Sequence, residues 1–139
     1  MRFLSFHCDF FEYITTKKSR SPLIEKLTED NKSGRLENVL VLFISVEKKD
    51  ESDQKYLKKA FEEIRKISKQ LAVKNIVVLS FAHLFANLSS PKFALKALKK
   101  LERELKMHDY QVLRPPFGWF NELEMKAKGH PLSRISRKL

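Results

Sequence analysis

The chain has 139 residues, with 28 Lys and Arg against 17 Asp and Glu and a net charge of +11. That length is one domain with room for a real core. The charge favours polyanionic partners through counterion release, although a solvated lysine-rich surface has the same composition. A lone cysteine, Cys8, excludes an internal disulfide and suits a reducing compartment. No apolar run reaches the length of a membrane span, and the N-terminus lacks a basic-then-apolar signal pattern, so the sequence reads as soluble and cytoplasmic.

In chain order, "RFLSFHCDFFEY" opens with a Phe-rich apolar run that predicts a buried strand ending near Cys8. "TTKKSRSPLIEKLTEDNKSG" is polar and punctuated by Pro22 and Gly34, so it reads as a connection or a partner-facing excursion. "NVLVLFISVE" is almost continuously apolar and β-branched, the pattern of a strand covered on both faces. The polar run "KKDESDQ" leads into a helix in which Leu57, Phe61, Ile64, Ile67 and Leu71 form one apolar stripe. "NIVVLSF" is a second central strand. A second helix starts with Ser90 as N-cap and Pro91 at the first helical position, where its missing N–H costs nothing. Its Ala94, Ala97, Leu98, Leu101 and Leu105 face the core, while Lys96, Lys99, Lys100 and Arg103 face water. "YQVL" predicts another strand and "ELEMKAK" a half-exposed one. These elements predict an α/β domain, a sheet with both helices packed against it.

The chain ends in "RPPFGWFNELEMKAKGHPLSRISRKL". Pro115 and Pro116 fix two backbone angles and Gly118 permits a tight turn, around which Phe117, Trp119 and Phe120 crowd. That aromatic turn is either a pocket wall or the end of a core.

Histidines are the obvious chemical candidates. His7 and His83 are each expected at the end of a central strand, where sheet proteins place ligand sites. A hydrogen-bonded structural role fits either one equally. His130, between Gly129 and Pro131, suits loop ordering or an RNA contact, and His108 a surface position after a helix. His7, Cys8 and Asp9 are adjacent, but neighbours on a strand point to opposite faces. No Cys-x-x-Cys or His-x-x-x-His spacing supports zinc, and no Gly-rich loop supports a bound nucleoside triphosphate. No Gly-x-Ser-x-Gly elbow supports a nucleophilic serine. The sequence therefore implies neither a metal nor a cofactor. "SFAHL" (80–84) and "PPFGWFN" (115–121) remain, each following a predicted strand and together offering apolar walls, a histidine and backbone groups.

Five motifs in register carry a resemblance across the whole chain: "HCDFFEY" (7–13), "FISVEK" (43–48), "FAHL" (81–84), "PFGW" (116–119) and "KGHPLS" (128–133). Together they resemble the N-terminal editing domain of archaeal threonyl-tRNA synthetases. The resemblance implies a D-aminoacyl-tRNA deacylase-like fold, a mixed sheet with two main helices. It implies a single editing domain over 1–139, the N-terminal part of a longer synthetase, usually a homodimer. The implied activity is hydrolysis of serine mischarged on threonine tRNA, with the synthetase catalytic domain as a partner in cis or in trans.

Carried over residue by residue, the implied pocket involves Val46 and the strand end Ser80, Phe81, Ala82 and His83, closed by Phe117, Gly118 and Phe120. Backbone groups hold the amino acid and the substrate's own ribose hydroxyl takes part in catalysis. His83 and Asn121 stand at the positions implied for catalysis, Arg134 at one for substrate binding, and Lys128 and His130 toward the tRNA. Asn121 stands where the family usually carries a lysine and Arg134 where it carries a glutamate. Ser80, Phe120 and Ala127 replace a proline, a tyrosine and a cysteine. An asparagine can donate a hydrogen bond but brings no full charge. The implied functions are thus an editing hydrolase or a non-catalytic tRNA-binding or dimerising module on the same fold. A deacylase for D-amino acids is a further possibility that the fold permits.

Overall fold

A computed structural model describes all 139 residues. Six strands form one mixed sheet: β1 (Arg2–Lys18), β2 (Ser33–Ser45), β3 (Asn75–Ser80), β4 (Gln111–Leu113), β5 (Trp119–Ala127) and β6 (Arg134–Lys138). Their order is β4-β3-β2-β1-β5, with β6 also on β1. β1 is antiparallel to β2, β5 and β6, whereas β2, β3 and β4 are parallel. The parallel strands are linked by α1 (Tyr56–Gln70) and α2 (Pro91–Met107), as crossovers between parallel neighbours require.

The near-continuous apolar run of β2 is explained by burial of both its faces. Leu40, Leu42 and Ile44 join Ile76 and Val78 beneath Ala60, Ile64, Ile67, Ala97, Leu98, Leu101 and Leu105 of the two helices. Val39 and Val41 join Val77, Leu79, Phe11 and Tyr13 on the other face, in a cluster to which neither helix contributes. The helical stripes are those expected, with Leu57, Leu71 and Ala94 at their half-buried margins. Ser90 caps α2 as its sequence predicts, its Oγ accepting from Phe93 N–H at 3.3 Å.

Both helices end without a glycine. Ala72 (φ 53°) and Asp109 (φ 64°) take the left-handed position after the last turn. Val73 N–H reaches back to the Ser68 carbonyl and Tyr110 N–H to that of Leu105, the pattern of Schellman closures.

Two strands differ from expectation. β1 does not stop near Cys8 but runs to Lys18, because its polar second half pairs with β2 as far as Ile14 and with β5 as far as Lys18. Thr16, Lys17 and Lys18 face solvent there, so no apolar pattern marks the extension. The basic ending, for which the sequence predicts no strand, is β6, pairing Arg134–Lys138 with residues 2–6 of β1. β5 and β6 thus share one edge of β1 and change over at His7. That places His7 mid-strand rather than at a strand end: its N–H donates to Ser133 and its carbonyl accepts from Lys128.

Candidate functional site

A cleft of about 960 Å³ opens where β3 ends and β5 begins. From the β3 side come Ser80 and the short turn carrying Phe81, Ala82 and His83, which Phe81 N–H fixes by donating to the Ile44 carbonyl at 2.8 Å. From the other side come Phe117, Gly118, Phe120 and Asn121. The two motifs that sequence reasoning left over are therefore opposite walls of one cavity. Phe81 and Phe120 remain 38% and 54% exposed, so apolar rings face an open space rather than a core.

The aromatic turn keeps its shape for local reasons. Pro115 and Pro116 are buried and rigid, and Gly118 has φ +83°, a conformation that L side chains rarely adopt. A Cβ at Gly118 would also lie 2.5 Å from the Leu23 carbonyl oxygen. The segment 19–32 is the connection between β1 and β2, one of the two readings the sequence suggested, and its Ser19–Glu25 part lies across this turn. Ser19 N–H donates to Gly118 O, Glu25 N–H to Phe117 O, and Trp119 Nε1–H to Glu25 O at 2.8 Å.

Chemistry in the cleft is sparse. Lys17, Lys18 and Arg20 stand on its rim, and no Asp or Glu lines it. None of the three cations has a carboxylate partner, although Lys18 Nζ lies 5.8 Å from the Trp119 ring centre. His83 is exposed and makes no hydrogen bond to protein. Asn121 is oriented: its Oδ1 accepts from Thr15 Oγ1 at 2.8 Å and its Nδ2 donates to Trp119 O at 3.3 Å. One N–H of the amide stays unspent. The cleft can thus attract an anion, stack planar groups and offer neutral hydrogen-bond donors.

The other sequence-predicted site residues do not line this cleft. Val46 is in the helix-covered core, its carbonyl accepting from Ser89 N–H. Arg134 is exposed on β6, opposite Phe6 of β1. Lys128 Nζ donates to Asp9 Oδ1 at 2.7 Å, and this contact, ahead of any other influence, draws the Asp9 carboxyl below its ordinary range. His130 Nε2 lies 2.9 Å from His7 Nδ1, and His7 Nε2 lies 2.9 Å from Asn38 Oδ1. Because an amide oxygen only accepts, a neutral His7 carries its proton on Nε2 toward Asn38 and accepts at Nδ1 from His130. His108 caps α2, half-exposed, with its ring against Phe61. There is no group of three or more His, Cys, Asp or Glu side chains placed to hold a metal ion.

Sequence reasoning missed the rim cations and the pair Glu25 and Arg114. Lys17, Lys18 and Arg20 were legible as a charge run but fell in a presumed connection. Glu25 and Arg114 carry no motif at all and meet only through the fold.

Comparison with known proteins places the chain. A family model for the Archaea-specific editing domain of threonyl-tRNA synthetase matches residues 1–139. The chain belongs to this family. Threonine–tRNA ligases of Thermococcus sibiricus and Methanosarcina mazei are each 43% identical over 141 and 140 residues, and that of Methanocaldococcus jannaschii 44% over 140. Each match covers 100% of this chain and 22% of the relative, so the chain spans about a fifth of the ligases' length. The solved structure of c-Myc DNA Unwinding Element Binding Protein superposes with a TM-score of 0.67 at 10% identity, covering 100% of this chain and 99% of that one. At that identity the likeness speaks for the fold alone, the α/β architecture of a mixed sheet with two main helices expected above. No helix is long and apolar enough to cross a membrane.

Proposed function

We propose that the cleft hydrolyses the ester between serine and threonine tRNA, and that residues 1–139 are the N-terminal editing domain of a longer synthetase. The observation that carries this reading is a cleft walled by aromatic rings and rimmed by Lys17, Lys18 and Arg20, with no carboxylate in its lining. Such a surface suits a ribose-phosphate end that carries a small amino acid.

The need is physical. A synthetic site built for threonine excludes serine poorly, since one methyl is worth about 1–3 kcal/mol of discrimination. A second cleft that admits serine and rejects the bulkier threonine restores accuracy. In the reaction, water adds to the ester carbonyl, the ester C–O bond breaks, and the departing ribose oxygen takes up a proton. The free Asn121 N–H and the backbone N–H groups of Ala82 and His83 are the protein's donors for charge developing on the carbonyl oxygen. His83, unpartnered and exposed, is assigned to orienting the terminal nucleotide or its hydroxyl. Neither role requires a charged side chain at position 121.

The same proposal includes a homodimer, supported by the apolar side chains of Ile14 and Phe120 left exposed on one face of neighbouring strands. A second reading, a tRNA-binding module without chemistry, is favoured by the Asn121 amide being largely engaged by Thr15 and Trp119. Serine release from seryl-tRNA bearing a threonine anticodon, measured against a no-protein control, separates the two. Acceleration supports editing; a control-level rate with salt-sensitive tRNA binding supports the binding module.

A further inference from the structure

Every polar atom of Glu25 is spent on the segment 114–119. Its N–H donates to Phe117 O at 2.9 Å, and its carbonyl accepts from Trp119 Nε1–H at 2.8 Å. Its Oε1 accepts from Arg114 Nη2 at 2.7 Å, and its Oε2 accepts from Arg114 Nη1 at 2.8 Å and from Phe117 N–H at 2.9 Å. Arg114 in turn donates through Nε to Glu102 Oε2 at 2.6 Å, which ties the assembly to α2. The Glu25 and Arg114 side chains are only 13% and 10% exposed. Neither residue lines the cleft, yet Phe117, Gly118 and Trp119, which they hold, all do.

A bidentate pair between a planar guanidinium and a carboxylate fixes orientation as well as distance. Here it joins a loop residue to a turn, and the third guanidinium nitrogen joins both to a helix. A selective site needs this kind of support, since a wall loose by an ångström no longer sees a methyl group.

We propose that Glu25 and Arg114 are positioning residues for the cleft: their pairing holds the aromatic wall against α2 and so sets how bulky an aminoacyl group enters. This rests on the editing reading above. It assigns the limit on size not to the lining residues alone but to a clamp outside the lining.

Trp119 is the only tryptophan, so its fluorescence reports on this wall without a label. The test uses the 139-residue chain with Glu25→Gln and Arg114→Lys, and two non-hydrolysable probes, adenosine carrying amide-linked serine or threonine. The proposal expects wild type to favour the seryl probe. It expects Glu25→Gln to narrow that preference by about tenfold, chiefly by binding the threonyl probe better. Arg114→Lys, which keeps the charge and loses the fork, falls between them. Iodide quenching of Trp119 rises in the same order. Variants that retain native near-UV circular dichroism, wild-type quenching and a seryl preference within about twofold of wild type would overturn the proposal, whatever their melting temperatures. Should Glu25→Gln fail to fold, Arg114→Lys decides by the same criteria. Should wild type bind neither probe, the editing reading fails, and Trp119 quenching still decides whether the clamp holds the wall.

Discussion

Two motif-bearing turns flank β5, and they have opposite fates. At one end the 115–118 turn faces an open cleft, with exposed rings and an unpartnered histidine, His83, across from it. At the other end the 128–133 turn closes on the protein. Lys128 is spent on Asp9, His130 on His7, and His7 on Asn38. Both turns contain a glycine and a proline, and each has a histidine beside it. They differ in where that histidine ends: His130 of the second turn meets His7, whereas His83, across the cleft from the first, meets no protein group. A motif alone therefore does not locate chemistry; its unspent hydrogen-bonding capacity does.

Substitution should cost most at the clamp behind the cleft. Arg114→Ala removes the buried cation that Glu25 and Glu102 share and leaves them only the half-exposed Lys99 and Lys106, and we expect a loss of about 3 kcal/mol in urea unfolding, the low end for a broken buried pair. Acid acts on the same contact. Burial by itself raises the Glu25 carboxyl, but the Arg114 hydrogen bonds, the Phe117 N–H and the charges of Arg114 and Lys99 outweigh it and hold it near about 2, against an ordinary 4.5. A depressed carboxylate stabilises the fold fully above its unfolded value. Glu25 therefore contributes on the order of 3 kcal/mol above about pH 4.5, fading as pH falls toward 2. Stability curves of wild type and Glu25→Gln should converge at the acid end; parallel curves would remove Glu25 from the account.

Smaller effects sharpen the contrast between the turns. Replacing Lys17, Lys18 and Arg20 together by alanine should weaken tRNA binding roughly a hundredfold at low salt and flatten its salt dependence by about two to three contacts. Filter binding across a salt series reads both. His130→Ala should cost about 1–2 kcal/mol of stability by leaving the buried His7 Nδ1 without its donor. His83→Ala should leave stability within about 0.5 kcal/mol while slowing serine release at least roughly tenfold. Melting and deacylation measured on the same two variants check the pair. Least of all, Ala72→Gly should gain about 1 kcal/mol by relieving a left-handed alanine after α1, read as a rise in melting temperature.

Much of the fold was legible because its signals are local. The α2 start is written in Ser90 and Pro91, and the doubly buried β2 in its unbroken apolar run. The far half of β1 was not, since an exposed antiparallel extension needs no apolar alternation once β2 and β5 supply its hydrogen bonds. β6 offered only Ile135 as an apolar signal among basic residues. In the site, the two walls were readable as motifs that follow strands. The clamp was not, because Glu25 and Arg114 are 89 residues apart and neither stands out by type. Nor could sequence tell that His7 and His130 satisfy each other while His83 satisfies nothing.

The editing reading requires this cleft to discriminate by size while it breaks an aminoacyl ester. The most direct measurement is the release of serine and of threonine from the same threonine tRNA, charged with each in turn and incubated with the 139-residue chain. Serine release should run well above the no-protein control and at least about tenfold faster than threonine release. Equal rates for the two amino acids, or serine release no faster than the control, would contradict that reading.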